Sequence, residues 1–376
     1  MTRARRGRGE GTVFRRGDGL WVGGLTVSTG PTGRRVRRVV YGRNKAQALE
    51  RLERLRQHVL QGDVGNPERL TVGAYLERWL ADSARPAVRP TTYRLYSDLV
   101  RLHVVPHLGG VRLGRLGPAH VQHLLSVLEQ AGASLRTRQK VYRLLHRALK
   151  VAVQWGLASR NACQAVACPR GPRPAVQAFT PEEVGRLLAA ARGERLEALI
   201  VLAVATGLRQ GELFGLRWQD VHLAEGTLSV HHQLSELAGR LWLSEPKTAA
   251  SRRQVVLPQA AVRALQEHRR RMLAEGRVRP EGFVFCDTDG GPLRKSNFLR
   301  RVWYPLLERA GLPRGPFHRA RHTTASLLLA RGVHPKLVQA LLGHSRVSTT
   351  LDTYSHLVPA LGRETAAAMD AAMAAL

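Results

Sequence analysis

Apolar positions along the chain change their period several times, and the changes mark out its parts. Between residues 12 and 41 the short runs TVFRR, LWVGGLTV and RRVRRVVY are separated by the turn segments Gly17-Asp18-Gly19 and Gly30-Pro31-Thr32-Gly33, which predicts a three-stranded antiparallel sheet. From about Lys45 to Leu60 the spacing shifts to three and four, with Ala48, Leu49, Leu52, Leu55 and Val59 in one stripe, so a helix is expected to cover one face of that sheet. Residues 62–67 (GDVGNP) read as a linker. Helical spacing then runs from about Leu70 to Val166, punctuated by Arg85-Pro86, Pro106, Gly109-Gly110, Gly117-Pro118 and Gly132. The segment Pro169 to Pro174 is too rich in proline to continue a helix and forms a second linker. Beyond it, Thr180-Pro181-Glu182-Glu183 supplies a helix cap, a proline at the first helical position and a glutamate three residues after the cap. The remainder reads as helices, a small β region (TLSVHHQL, RLWLS, RRQVVLP), helices again, and an Ala-rich tail from Ala366 to Leu376. The expected fold is multidomain and mainly α with small β elements: sheet plus helix over 1–64, a helical domain over 69–167, and a mainly-α domain with a small antiparallel sheet over 178–376.

The most informative helix is the one opened by Ser134 and running to about Trp155. On a helical wheel Leu144, Leu145, Ala148, Ala152 and Trp155 gather on one face, while Arg136, Lys140, Arg143, Arg147 and Lys150 recur at spacings of four and three on another. No acidic residue occurs between Glu129 and Glu182, so these five cations have no i,i+4 partner and repel one another unless phosphates sit beside them.

Charge extends the same inference to the whole chain. The 376 residues carry 59 Lys+Arg against 28 Asp+Glu, a formal charge of +31, at an ordinary globular content of 44% hydrophobic residues. Folded domains therefore hold the excess, and the natural partner is a polyanion. The first 50 residues alone hold twelve basic and three acidic side chains, which makes Arg34, Arg35, Arg37 and Arg38 candidate DNA contacts. The longest apolar run, Ala198 to Ala205, is too short to span a bilayer, and the opening MTRARRGRGEGTVFRR has no hydrophobic signal region. A soluble, cytoplasmic and nucleoid-associated protein is expected, with no membrane contact. Cys163, Cys168 and Cys286 make neither a disulfide framework nor a zinc site. Only six of the basic residues are lysine, so a lysine at a chemically placed position carries information.

Four clusters in the last domain hold residues suited to handling phosphate: ATGLRQGEL, EPKTAASRR, HRARH and LLGHSRVSTTLDTYSHL. Their order and spacing resemble the tyrosine recombinase (phage integrase) family from about residue 178 to 360, and the regions before them resemble that family's arm-binding and core-binding domains. Cutting a phosphodiester without a metal requires a nucleophile, a cationic clamp for the transition state and an acid for the leaving oxygen. The resemblance implies Tyr354 as nucleophile, forming a 3′-phosphotyrosyl link, with Arg209 and Arg321 as the clamp. It implies Lys247 as the hairpin lysine, a group able to give up a proton where guanidinium practically cannot. His318 is implied to accept the tyrosine proton or orient the phosphate, His344 to donate to the phosphate, and Glu212 to steady Arg209 from the same helical face. His322 and His356 read as supporting residues. His318 and His322 lie four apart, but without the glutamate of a zinc-protease motif, and no metal or cofactor is expected. One departure stands out: Arg319-Ala320 occupies positions where the family more often has an acidic and a larger apolar residue.

A site-specific recombinase, the integrase of a phage or other mobile element, is the reading this supports. Its implied partners are double-stranded DNA at core and arm sites, three further copies in a tetramer on synapsed DNA, and an excisionase or DNA-bending accessory protein. Two alternatives share parts of the pattern: a type IB topoisomerase, and a DNA-binding regulator without the chemistry.

Overall fold

The computed structural model describes residues 12–17, 19–29, 35–60, 69–172, 177–246, 251–343 and 369–374, and no side chains at 26–29, 35–38, 55 and 57–60. The chain divides into two compact units, residues 1–172 and 173–376.

The first unit opens with the expected sheet. Strands β1 (Thr12–Arg15), β2 (Trp21–Thr29) and β3 (Arg35–Gly42) pair antiparallel in that order. Helix α1 (Lys45–Leu60) packs on it through Ala48 and Leu52, both buried. Leu49, placed in the same stripe by its spacing, is instead 46% exposed. A sheet three strands wide covers only the line through Ala48 and Leu52, and Leu49 lies about 100° round the helix from Ala48. Arg34 lies outside the described residues, as do the side chains of Arg35, Arg37 and Arg38.

Six helices follow: α2 (Val72–Trp79), α3 (Arg85–Ala87), α4 (Pro90–Leu99), α5 (Val105–Leu108), α6 (Pro118–Gln130) and α7 (Leu135–Gln154). Their core is built from fully buried Tyr75, Trp79, Leu124, Leu144, Leu145 and Leu149. Pro86 and Pro106 fall close to helix ends, as expected, but inside the last turn: the helices run on to Ala87 and Leu108. Each proline is preceded by a π-helical turn, Leu80–Ala84 and Val100–Val104, in which the N–H of Arg85 reaches back five residues to Leu80 and that of Val105 to Val100. A proline ring collides with the carbonyl four residues earlier and supplies no N–H, and the wider turn makes room for it. Helix α7 forms where its pattern predicts. Ser134 caps it by accepting from the Thr137 N–H, and Leu144, Leu145, Ala148 and Ala152 are buried. Trp155 leaves the stripe: as the C-terminal cap it is 39% exposed, edge-on to Tyr75 and beneath the Arg78 guanidinium.

The second unit starts at the predicted cap. Thr180 accepts from the Glu183 N–H and the Glu183 carboxylate accepts from the Thr180 N–H, which fixes the start of α8 (Pro181–Ala191). Helix α9 (Glu197–Thr206) is apolar all round and accordingly buried on nearly every side. Then come α10 (Gln210–Phe214), β4 (Val221–His222), β5 (Thr227–Val230), β6 (Gln233–Leu237), β7 (Arg240–Ser244) and β8 (Arg253–Val256). The run TLSVHHQL breaks at His231-His232, so β5 joins a sheet of order β4-β5-β8 while β6 and β7 form a separate hairpin. Helices α11 (Gln259–Ala274), α12 (Lys295–Phe298), α13 (Tyr304–Arg309), α14 (Arg319–Ala330) and α15 (Pro335–Leu342) complete the ordered series. A third π-helical turn, Leu299–Trp303, stands two residues before Pro305. Residues 369–374 of the Ala-rich tail are helical. Among the described residues no helix is long and apolar enough to cross a membrane.

Candidate active site

The ends of α9 and α15 meet the start of α10 and the first turn of α14, and the candidate residues are set at that junction. Helix α9 stops at Gly207, whose φ of 62° is a left-handed conformation that closes the helix and turns the chain. A Cβ there would lie 2.5 Å from a methyl of Leu342 and 3.2 Å from the Thr324 side chain, so glycine also lets α14 and α15 approach. Thr324 holds α14 on α9 by donating to the Val204 carbonyl at 2.8 Å.

Arg209 follows two residues later. The expectation of one helical face for Arg209 and Glu212 is met differently: Arg209 is the extended cap residue before α10, and the pair closes on itself. Glu212 accepts from the Arg209 backbone N–H at 3.0 Å and from its Nη1 at 2.6 Å. The Glu212 side chain is 1% exposed and that of Arg209 33%. Burial works to raise the Glu212 pKa, but the guanidinium groups of Arg253 and Arg209 and the Arg209 N–H outweigh it and hold the carboxyl below its ordinary range.

Arg321, in the first turn of α14, is 3% exposed. Its Nη1 donates to the Gly207 carbonyl at 2.8 Å and its Nη2 to the Leu342 carbonyl at 2.7 Å. The end of α15 draws in two more arginines: Arg209 Nη2 donates to Gly343 O at 3.0 Å and Arg253 Nε to Leu341 O at 2.6 Å. Three consecutive carbonyls that a helix end leaves without intrahelical partners are each taken by a different guanidinium.

His318 is the residue before α14 and is exposed at the rim of this cluster. Burial of part of its ring, then the neighbouring His322, Arg321 and Arg209, push its pKa down to about 4. It is therefore a neutral imidazole at neutral pH, able to accept a proton. His322 packs edge-on against it with ring centres 4.9 Å apart, and burial lowers its pKa as well. Arg319, the departure noted between them, is buried: it stacks 4.0 Å over the Phe179 ring and donates to Glu183 and to the Ala178 carbonyl. An arginine is accommodated here because Glu183 and Phe179 supply the charge and the ring it needs.

Of the residues singled out from sequence, Arg209, Glu212, His318 and Arg321 are brought together. Lys247, His344, Tyr354 and His356 lie outside the described residues. Two described residues near them in the chain, Ser251 and Gly343, both accept hydrogen bonds from Arg209. Sequence reasoning missed Arg253. The only signal was its place in the EPKTAASRR cluster, where nothing marks its side chain as 8% exposed and paired with Glu212.

In the first unit, Arg136, Arg143, Arg147 and Lys150 of α7 are exposed and Lys140 half-buried. None of the five pairs with a described carboxylate. Arg147 donates to the Tyr96 hydroxyl at 3.1 Å.

Comparison with known proteins agrees with this arrangement. The phage integrase family matches residues 177–360, and the phage integrase N-terminal SAM-like domain matches residues 71–128. The chain is 30% identical to a XerC-like tyrosine recombinase of Caldanaerobacter subterraneus subsp. tengcongensis, across 89% of this chain and 92% of the relative. Its fold is similar to the Tn1549 transposon integrase in complex with transposon right end DNA, with a TM-score of 0.69 at 22% identity over 80% of this chain and 100% of that one. It is also similar to the lambda integrase of a tetramer bound to a Holliday junction, with a TM-score of 0.58 at 18% identity over 89% and 96% of the two chains. The 30% identity to the XerC-like recombinase along nearly the whole of both chains, with both domain families in their proper order, shows that the protein belongs to the phage integrase family and is a tyrosine-type site-specific recombinase, an enzyme that breaks and rejoins DNA strands.

Proposed function

We propose that the protein is the integrase of a phage or other mobile element, acting on double-stranded DNA through Tyr354. The Tyr354 oxygen attacks the scissile phosphorus and forms the 3′-phosphotyrosyl link, and the 5′ oxygen leaves with a proton. A 5′-hydroxyl of the partner strand then attacks the link and releases the tyrosine. Arg209 and Arg321 clamp the non-bridging oxygens, Lys247 protonates the leaving oxygen, His318 takes the tyrosine proton, His344 donates to the phosphate, and Glu212 steadies Arg209. The observation that carries this reading is the convergence of Arg209 and Glu212 at the start of α10 with His318 and Arg321 at the start of α14, more than 100 residues apart in the chain. The sheet with α1, residues 1–64, serves as an arm-site domain through Arg34, Arg35, Arg37 and Arg38. The helical region, residues 69–167, grips the core site through the α7 cations, and residues 178–376 carry the chemistry. A tetramer on two synapsed sites, with an excisionase or DNA-bending protein, completes the assembly on the nucleoid.

Covalent trapping tests the proposal. The protein is mixed, in EDTA, with nicked fragments from the region flanking its own gene, quenched with detergent and digested. DNA linked to the peptide bearing Tyr354 is the expected product. Specific binding without an adduct returns the regulator, and relaxation of plasmids of arbitrary sequence the topoisomerase.

Two further outcomes follow. DNA affinity is expected to fall with salt at a log–log slope of about −0.9 per phosphate contact, and replacing both Arg143 and Lys150 by Ala removes about two contacts' worth of that slope. An unchanged slope would remove α7 from the interface. For His318 the neutral form is the base, and its lowered pKa keeps that form populated in mild acid. Single-turnover cleavage should hold from pH 8 to about pH 5, whereas a histidine at the ordinary value of about 6.5 would already be mostly protonated there. An inflection near 6.5 that disappears in His318→Asn would contradict the assignment.

A further inference from the structure

We infer that Arg253 is a positioning residue for strand cleavage, holding the Glu212–Arg209 pair so that Arg209 faces the scissile phosphate. The inference rests on the clamp role proposed for Arg209. Every nitrogen of the Arg253 guanidinium is committed within the protein: Nε to the Leu341 carbonyl at 2.6 Å, Nη1 to the Ser251 carbonyl at 3.1 Å and Nη2 to Glu212 Oε2 at 3.2 Å. With all three nitrogens engaged inside the protein and its side chain 8% exposed against 33% for Arg209, Arg253 is the inner partner of this pair.

Glu212 divides its oxygens between the pair. Oε1 accepts from Arg209 Nη1, and Oε2 accepts from both the Arg209 backbone N–H and Arg253 Nη2. Arg209 is thus fixed at one end by a carboxylate whose own place depends on Arg253. The same guanidinium reaches the Leu341 carbonyl at the end of α15, two residues before the Gly343 carbonyl that receives Arg209 Nη2. Without Arg253 the buried Glu212 has only Arg209 to neutralise it, and a cation drawn fully onto a buried carboxylate is withdrawn from the substrate. At metal centres, supports one contact removed from the chemistry typically change affinity or activity by about 10–100-fold when lost, and a defect of that order is expected here.

The test uses the full chain and a nicked duplex carrying the cleavage site recovered by trapping, made with either an ordinary scissile phosphate or a methylphosphonate. The methyl group removes the negative charge that Arg209 neutralises. Arg253→Gln should cleave the ordinary phosphate about 10–100-fold more slowly with DNA affinity unchanged, and the defect should shrink to a few-fold on methylphosphonate, as that of Arg209→Ala should. Added to Arg209→Ala, the same substitution should cost little more. Arg253→Lys keeps the buried charge and should retain more activity than the glutamine variant, which separates positioning from failure to fold. Equal losses on both substrates, or full additivity with Arg209→Ala, would overturn the inference. If Arg209→Ala itself shows no dependence on substrate charge, the clamp reading fails first and independently.

Discussion

Tyr354→Phe is expected to yield no covalent protein–DNA adduct while binding the same DNA within about tenfold of the unaltered chain. The two effects differ in kind. The phenolic oxygen supplies the bond to phosphorus, and a phenyl ring has nothing to replace it with, so linkage is lost outright. Binding loses at most one hydroxyl contact, about 0.5–1.5 kcal/mol, against an interface that the charge of +31 spreads over many phosphates. Detergent-resistant adduct on a nicked site and a gel-shift titration, run side by side, read the two quantities. Undiminished adduct in the phenylalanine variant would send the nucleophile assignment elsewhere in the chain.

Arg321→Ala should slow cleavage by roughly 10²–10³-fold, the cost of removing one donor aimed at charge that develops in the transition state. It should also destabilise the second unit. Arg321 donates to the Gly207 and Leu342 carbonyls from a position 3% exposed, and leaving two such acceptors unpaired costs about 2–6 kcal/mol. Arg321→Lys separates the effects: its ammonium keeps the charge but lacks the planar fork that spans both carbonyls. Part of the stability should return with little of the rate. Single-turnover cleavage and urea denaturation check the two halves, and full activity in Arg321→Ala would remove this arginine from the clamp.

Much of the fold is legible where a local rule acts alone. Thr180 and Glu183 specify the start of α8, and Ser134 the start of α7, because caps are short-range chemistry. The three strands before residue 43 follow from alternation and turn residues. Legibility fails where tertiary partners decide. Leu49 has the right spacing and no sheet to cover it, Trp155 is turned aside by the end of its own helix, and TLSVHHQL is divided between two sheets by pairing that its residues do not announce. Prolines 86 and 106 do lie near helix ends, but π-helical turns carry each one inside the last turn, so the helices end one and two residues beyond them. In the candidate site, Arg209, Glu212, His318 and Arg321 stand out through the order of their clusters. Arg253 does not, because in a chain with 53 arginines only burial and a shared carboxylate distinguish one from the rest.

The carbonyl end of α15 has an electrostatic consequence. A helix C-terminus carries about half a negative charge, and here that charge lies against the guanidinium groups of Arg209, Arg253 and Arg321. Before DNA arrives, the helix serves as their resident counter-anion, so that like charges can be stored side by side with, among the described residues, the Glu212 carboxylate to help. A phosphate entering the junction does not have to assemble the cations; it competes with a fractional charge that was already keeping its place.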